Sequence, residues 1–105
     1  MKVKVPQEIK LLTHTYRVRF DAKALASAQT GGLIRHLYKE ILLDNVAYPL
    51  SELNQIFLHE LIHVMERHLN ITIDDADVDR MAEGFAELLF NGFGIELDWS
   101  DIKED

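Results

Sequence analysis

The fold is decided by residues 53–65, which read Leu53-Asn54-Gln55-Ile56-Phe57-Leu58-His59-Glu60-Leu61-Ile62-His63-Val64-Met65. Residues four apart lie one above the other on a helix, so His59 and His63 share one face. At about 100° per residue, the large apolar side chains of this stretch lie on the opposite face. The pattern therefore predicts a helix over about 52–69 that buries one side and presents both histidines on the other.

The spacing of His59, Glu60 and His63 is the H-E-x-x-H pattern of zinc hydrolases, and each letter has a physical role. Two imidazoles on one helical face can hold the same Zn²⁺ ion. Glu60 lies beside that face, where its carboxylate can act as the general base toward a zinc-bound water. Because the chain has no cysteine, its metal ligands must be histidines and carboxylates.

A catalytic zinc site usually has three protein ligands, so a third is expected outside the motif. Asp74 or Asp75 is predicted to cap a following helix, and its apolar stripe begins at Val78. Asp79 and Glu83 lie four apart on the flank of that stripe. A solvated acidic face explains either carboxylate taken singly, but the upstream motif makes both of them candidate ligands.

The rest of the chain predicts both strands and helices. Alternating apolar residues over 9–20 indicate a strand, with His14 on its apolar side as a hydrogen-bonded core histidine. Asp21 is expected to cap a short helix over about 22–29. The apolar spacing of 33–44 fits either a helix or a hairpin with strands near 33–37 and 40–44.

The two ends of the metal helix and the tail of the chain also carry signals. Ser51 is a predicted N-cap, and Asn70 suits the C-terminal end of the helix. Gly92 and Gly94 are expected to stop the second helix. In the tail, Leu97, Trp99 and Ile102 are expected to pack back against the domain, while the acidic end stays in solvent.

Composition excludes several classes of function. At 105 residues, the chain is expected to form one domain over 1–105. A net charge of −7 repels phosphate backbones, so we expect no nucleic-acid partner. No apolar run is long enough for a signal peptide or a membrane span, which predicts a soluble, cytoplasmic protein without a membrane partner.

Three segments resemble the small zincin-type metallopeptidases of the ImmA/IrrE group, in particular short members from phage and prophage genomes. Gly32-Leu33-Ile34, followed by Ile41-Leu42-Leu43-Asp44, is similar to the Gly-led hairpin beside the family's active site. Residues 55–63 are similar to the family's metal helix. Residues 79–86 are similar to its acidic-x-x-Ala-Asn-x-Phe-Ala segment. The resemblance covers roughly residues 32–90, and only the H-E-x-x-H is sharply specific.

The resemblance implies a fold and a ligand set. It favours the hairpin over a helix for 33–44, and it places the third zinc ligand at Asp79, with Glu83 in reserve. Here the ligand is Asp instead of the family's commoner Glu, and the interval from His63 is shorter than in larger members. The implied fold is an α+β, zincin-like minimal domain, in which a small antiparallel sheet of about three strands packs on the metal helix and the ligand-bearing helix.

The same resemblance implies a zinc-dependent peptidase that acts on a protein or peptide substrate, such as a regulatory DNA-binding protein. The competing hypotheses are a catalytically inactive zincin-fold module that binds metal or protein, and a metal-free helical interaction protein. His36, Tyr38 and Tyr48 are candidate oxyanion stabilisers, although packing or surface roles suit each of them. Glu66 shares the ligand face and could support a ligand, whereas His68 lies half a turn away and is excluded as a ligand.

Overall fold

The computed structural model describes residues 1–104, which form an α+β fold of three α-helices and two small sheets. The helices are α1 (Ala22–Ala28), α2 (Leu50–Leu69) and α3 (Asp75–Ala86), and α3 continues as a π-helical segment over Glu87–Gly92. The strands are β1 (Lys2–Lys4), β2 (Glu8–Leu11), β3 (His14–Phe20), β4 (Gly32–Arg35), β5 (Glu40–Leu43) and β6 (Glu96–Asp98).

The larger sheet has the strand order β2-β3-β5-β4 and differs from the expected sheet of about three antiparallel strands. It has four strands, and β3 pairs with β5 in parallel. The extra strand arises because 9–20 is a hairpin and not one strand. Its turn lies between Leu11 and His14, which pair across it, and Leu12 adopts a φ of 56°. The parallel pair arises because α1 and β4 separate β3 from β5.

The hairpin prediction for 33–44 is confirmed, since β4 pairs antiparallel with β5. Strand β4 is at the end of the sheet and lies against α2. A Cβ on Gly32 would lie 2.6 Å from Ile56 Cγ2 and 3.1 Å from Glu60 Oε1. A contact below 3.0 Å forces a neighbouring atom to shift, so glycine suits this close approach of strand and helix.

Helix α2 is confirmed over nearly the predicted range. The residue after it, Asn70, is the C-cap and adopts the left-handed conformation, with a φ of 55°. The predicted N-cap is wrong. Ser51 lies inside the helix, and Pro49 takes the cap position without a side-chain hydrogen bond. Proline suits a helix start because its φ is already fixed and the first helical N–H groups need no intrahelical acceptor.

The C-terminal tail packs on α2, as expected. Trp99 is buried between Phe20 and Phe57, with ring centroids 5.7 and 5.2 Å away. Its indole Nε1 donates a hydrogen bond of 2.8 Å to Asn54 Oδ1. Strand β6 precedes this residue and pairs in parallel with β1, so the two ends of the described chain meet. This packing fixes the apolar face of α2 and leaves its histidine face toward β4 and α3.

Helix α3 packs on α2 through a small apolar cluster of Ile62, Val78 and Ala82. Asp74 takes the N-cap position of α3, as predicted, although its side chain makes no capping hydrogen bond. Asp21 caps α1 as predicted, and its carboxylate accepts from Ala24 N at 3.0 Å. The helical backbone after α3 ends at Gly92. Over residues 1–104, no helix combines the length and apolar character that a bilayer crossing requires.

Candidate metal centre

His59 and His63 meet through one nitrogen each. Their Nε2 atoms lie 3.0 Å apart, and their ring centroids are separated by 4.7 Å. Both side chains are partly exposed, at 27% and 30%. The structure therefore places the two predicted ligands together, with their Nε2 atoms in direct contact.

The other ring nitrogen of each histidine faces a carboxylate. His59 Nδ1 lies 2.8 Å from Asp79 Oδ1, and His63 Nδ1 lies 2.8 Å from Glu66 Oε1. The second oxygen of Glu66 accepts a hydrogen bond of 3.0 Å from the backbone N–H of Ile73. A carboxylate accepts the Nδ1 proton of a neutral imidazole and so leaves its Nε2 lone pair free.

The distance between the two Nε2 atoms can be compared with the distance that two zinc ligands require. Two unprotonated Nε2 atoms 3.0 Å apart repel each other unless a proton or a cation lies between them. Zinc binds imidazole nitrogen at about 2.0–2.1 Å, which separates two tetrahedral ligands by roughly 3.3 Å. The pair needs only a slight opening to reach that separation, so the donor chemistry of His59 and His63 fits zinc.

The third predicted ligand lies at the site but contacts a different atom. Asp79 touches Nδ1 of His59 and not the space between the two Nε2 atoms. Glu83, one turn further along α3, is exposed. Within residues 1–104, no three His, Asp or Glu side chains come together as a group that could hold a metal ion. As the side chains stand, Asp79 positions His59, and a direct bond from Asp79 to a metal would require side-chain rotation.

Glu60 lies beside the histidine pair and is buried, with 8% of its surface exposed. Its side chain packs against Gly32 of β4. Burial raises the pKa of Glu60 to about 7, and the nearby His63 opposes this rise. Within the described residues, no hydrogen bond or ion pair holds its carboxylate, which leaves that group available to exchange a proton near neutral pH.

Two cavities adjoin Glu60, one beside each histidine. The His59 cavity, of about 510 Å³, is lined by residues that include Thr30, Gly31, Tyr48, Glu52, His59 and Asp79. The His63 cavity, of about 450 Å³, is lined by residues that include Ile34, His36, His63, Glu66 and Arg67. Glu60 lines both. Thr30 and Gly31, just before β4, border the first cavity, and Ile34 and His36, near the end of β4, border the second, so β4 leads from one cavity to the other.

The three candidate oxyanion stabilisers lie in three different places in the structure. Tyr48 lines the His59 cavity and His36 lines the His63 cavity, whereas Tyr38 is 70% exposed in the turn between β4 and β5. The Nδ1 atom of His36 lies 3.3 Å from the hydroxyl of Tyr16, whose ring is fully buried. Sequence reasoning treated Tyr16 only as a strand residue, because no pattern in the chain links it to His36.

His68 lies away from the ligand pair, as predicted, and contacts His14, which the sequence did not indicate. Their rings stack at 3.8 Å, and His68 Nε2 lies 2.5 Å from the hydroxyl of Tyr16. His14 is half-buried, on the side of β3 that also carries Tyr16. His68 therefore contacts the tyrosine hydroxyl, His14 stacks on His68, and neither joins His59 and His63.

Comparisons with known proteins add no assignment: no protein-family model matches the chain, and no curated protein or solved structure is significantly similar to it.

Proposed function

We propose that this protein is a zinc-dependent peptidase in which His59 and His63 hold the metal and Glu60 is the general base. One observation carries the proposal: the Nε2 atoms of His59 and His63 converge at 3.0 Å while carboxylates hold both Nδ1 atoms. A helical histidine pair exposed by chance has no need for this tautomer control. The buried carboxylate of Glu60 beside the pair supplies the group that hydrolysis requires.

Zinc, when bound, would supply a Lewis acid that polarises a peptide carbonyl and increases the acidity of water. The chain's own residues supply the rest. Glu60 takes a proton from the attacking water and passes it to the leaving amine. Burial raises the pKa of Glu60 to about 7 in the metal-free protein, and a cation bound beside it would favour the ionised carboxylate that acts as the base. Asp79 and Glu66 keep the histidine rings in orientation.

Strand β4 supports binding of an extended peptide. It is the terminal strand of its sheet, pairs with β5 on one side, and passes directly over Glu60 at Gly32. A peptide that adds to its other edge would gain main-chain hydrogen bonds and pass the catalytic carboxylate. Regulatory proteins are the substrate class that the ImmA/IrrE resemblance implies, and we adopt them as part of the proposal. The order of elements along the chain also supports a zincin-like architecture: the edge strand β4 is followed by the metal helix α2 and then by the acidic helix α3.

A second candidate function is a metal-binding or protein-interaction module without catalysis. The observation that favours it is the missing third donor, since only two nitrogens converge as the side chains stand. Fold and motif do not guarantee activity. A scaffold needs His59 and His63 to hold its metal but has no use for the basicity of Glu60.

The two functions differ in their response to Glu60→Gln. This change keeps the size of the side chain and removes its basicity. With zinc-loaded protein and regulators encoded beside this chain as test substrates, we expect cleavage to fall at least about 10²-fold while zinc content stays the same. Glu87→Gln, an exposed change beyond α3, is the matched control and should cleave like wild type. Equal cleavage by Glu60→Gln and wild type would overturn the mechanism.

A further inference from the structure

The two cavities beside Glu60 differ in charge. Apart from Glu60, the ionised groups lining the His59 cavity are the carboxylates of Glu52 and Asp79, and no Lys or Arg lines it within the described chain. The His63 cavity, apart from Glu60, contains the guanidinium of Arg67 and the carboxylate of Glu66. In a chain with a net charge of −7, a guanidinium beside the proposed reaction centre is a local exception.

Arg67 is not neutralised by a neighbour. Among residues 1–104, no ion pair or hydrogen bond of its side chain is found, although Glu66 precedes it in the chain. Both oxygens of Glu66 are already used, one by His63 and the other by the backbone N–H of Ile73. The fixed positive charge of Arg67 therefore remains available to a molecule that enters the cavity.

His36 lines the same cavity, and two residues outside the cavity contact it. Tyr16 contacts its Nδ1 atom, and Lys39 donates a hydrogen bond of 3.1 Å to its carbonyl oxygen. The pKa of His36 is lowered first by burial and then by Arg67, with further contributions from His68, Lys39 and His63. Arg67 and Lys39 are the permanently charged groups in this set and both are positive, so an anion placed beside the ring would relieve the repulsion.

We propose that the His63 cavity is a subsite for a carboxylate of the bound peptide, an Asp or Glu side chain, held by Arg67 and His36. This inference rests on the proposed function, because it assumes that a peptide lies along β4. The planar fork of an arginine binds both oxygens of a carboxylate, which gives direction as well as charge. The acidic residue would then lie on the side of the reacting bond toward the end of β4, where Ile34 and His36 border the cavity.

Binding of three short peptides to the zinc-loaded wild-type chain tests this subsite. The peptides are acetyl-Ala-Ala-Xaa-Ala-Ala-amide with Glu, Gln or Lys at the central position, and their dissociation constants are measured by NMR titration at low salt. We expect the Glu peptide to bind about tenfold more tightly than the Gln peptide, the usual scale for one charge-assisted interaction, and the Lys peptide to bind most weakly.

Two arginine variants complete the experiment. Arg67→Gln should make the Glu and Gln peptides bind equally. Arg80→Gln is the matched control, because Arg80 is exposed on α3, pairs with Asp77 and lines neither cavity, so the preference should remain. Equal binding of the Glu and Gln peptides by wild type, a preference that survives Arg67→Gln, or no binding of any peptide would each overturn the subsite.

The same samples, examined by mass spectrometry, report cleavage separately. An acidic preference without any cleavage would support the subsite while the proposed hydrolysis fails. Cleavage without an acidic preference would support the hydrolysis and overturn the subsite.

Discussion

Asp79 contacts His59 through Nδ1, at 2.8 Å, while the Nε2 atom of the same ring faces His63. Glu66 likewise contacts the Nδ1 atom of His63, at 2.8 Å. One carboxylate comes from the next helix and the other from the same helix, and each fixes which nitrogen of its partner carries the proton. Control of this kind changes metal affinity without a direct bond to the metal.

The first prediction follows from this contact. Asp79→Asn keeps an oxygen that can accept the Nδ1 proton but removes the negative charge, so zinc affinity should fall by about 10- to 100-fold, the usual scale for a residue that orients a metal ligand. Competition with a fluorescent chelator measures the affinity. Glu83→Gln, one turn further along α3, is the matched control and should bind zinc like wild type.

Each failure of this prediction has a specific meaning. Complete loss of zinc in Asp79→Asn would indicate that Asp79 rotates to become a direct ligand, as the family resemblance implies. Loss of zinc in Glu83→Gln, with Asp79→Asn unaffected, would move the third ligand to Glu83.

The second prediction concerns the pH dependence of the zinc-free protein. Burial raises the pKa of Glu60 from 4.5 to about 7 in the folded state, so the folded state holds this proton more tightly than the unfolded state. Below about pH 4.5 the residue is protonated in both states. As pH rises toward 7, the unfolded chain loses the proton first, and the stability that came from the protonated group is lost.

Glu60→Gln has no such titration. Its free energy of unfolding should exceed that of wild type by an amount that grows between about pH 4.5 and 7 and then levels off, at most on the order of 3 kcal/mol. Urea unfolding in the presence of a chelator, at several pH values across this range, measures the difference. A constant difference between the two proteins across the range would show that the carboxylate of Glu60 is not buried as described.

The third prediction uses two glycines. Gly32→Ala would place a Cβ 2.6 Å from Ile56 Cγ2, so the Ile56 side chain, strand β4 or helix α2 must shift, at a cost of about 1–3 kcal/mol. Gly84→Ala is the control: its Cβ would meet nothing within 4 Å, and alanine in a helix interior should stabilise the protein by up to about 1 kcal/mol. Thermal unfolding of both variants measures the effects. Equal stability of Gly32→Ala and wild type would contradict the close contact between β4 and α2.

The features that could be predicted from the sequence are those determined by residues close together in the chain. Helix α2 follows from apolar spacing within one segment, and the convergence of His59 and His63 follows from their four-residue interval. The cap of α1 by Asp21 is equally local. A short stretch of sequence carries each of these features, so they can be predicted without knowledge of distant contacts.

The features that could not be predicted from the sequence depend on contacts between distant segments. Strands β1 and β6 have three residues each and exist because the two ends of the described chain pair. The turn at Leu12 adopts a positive φ without the Gly or Asn that usually indicates one. The contact of Asp79 with Nδ1 of His59 depends on two side-chain rotamers, which no spacing rule determines. The location of Arg67 in a cavity depends on where β4 meets α2.

Zinc content of the purified protein is the most direct measurement of whether His59 and His63 form a metal site. Elemental analysis of wild type should give about one zinc per chain, and His63→Ala should lose it, because one imidazole alone is a weak ligand. His68→Ala is the matched control on the same helix and should keep its zinc, since His68 contacts Tyr16 and not the ligand pair. Equal trace zinc in wild type, His63→Ala and His68→Ala would contradict the account.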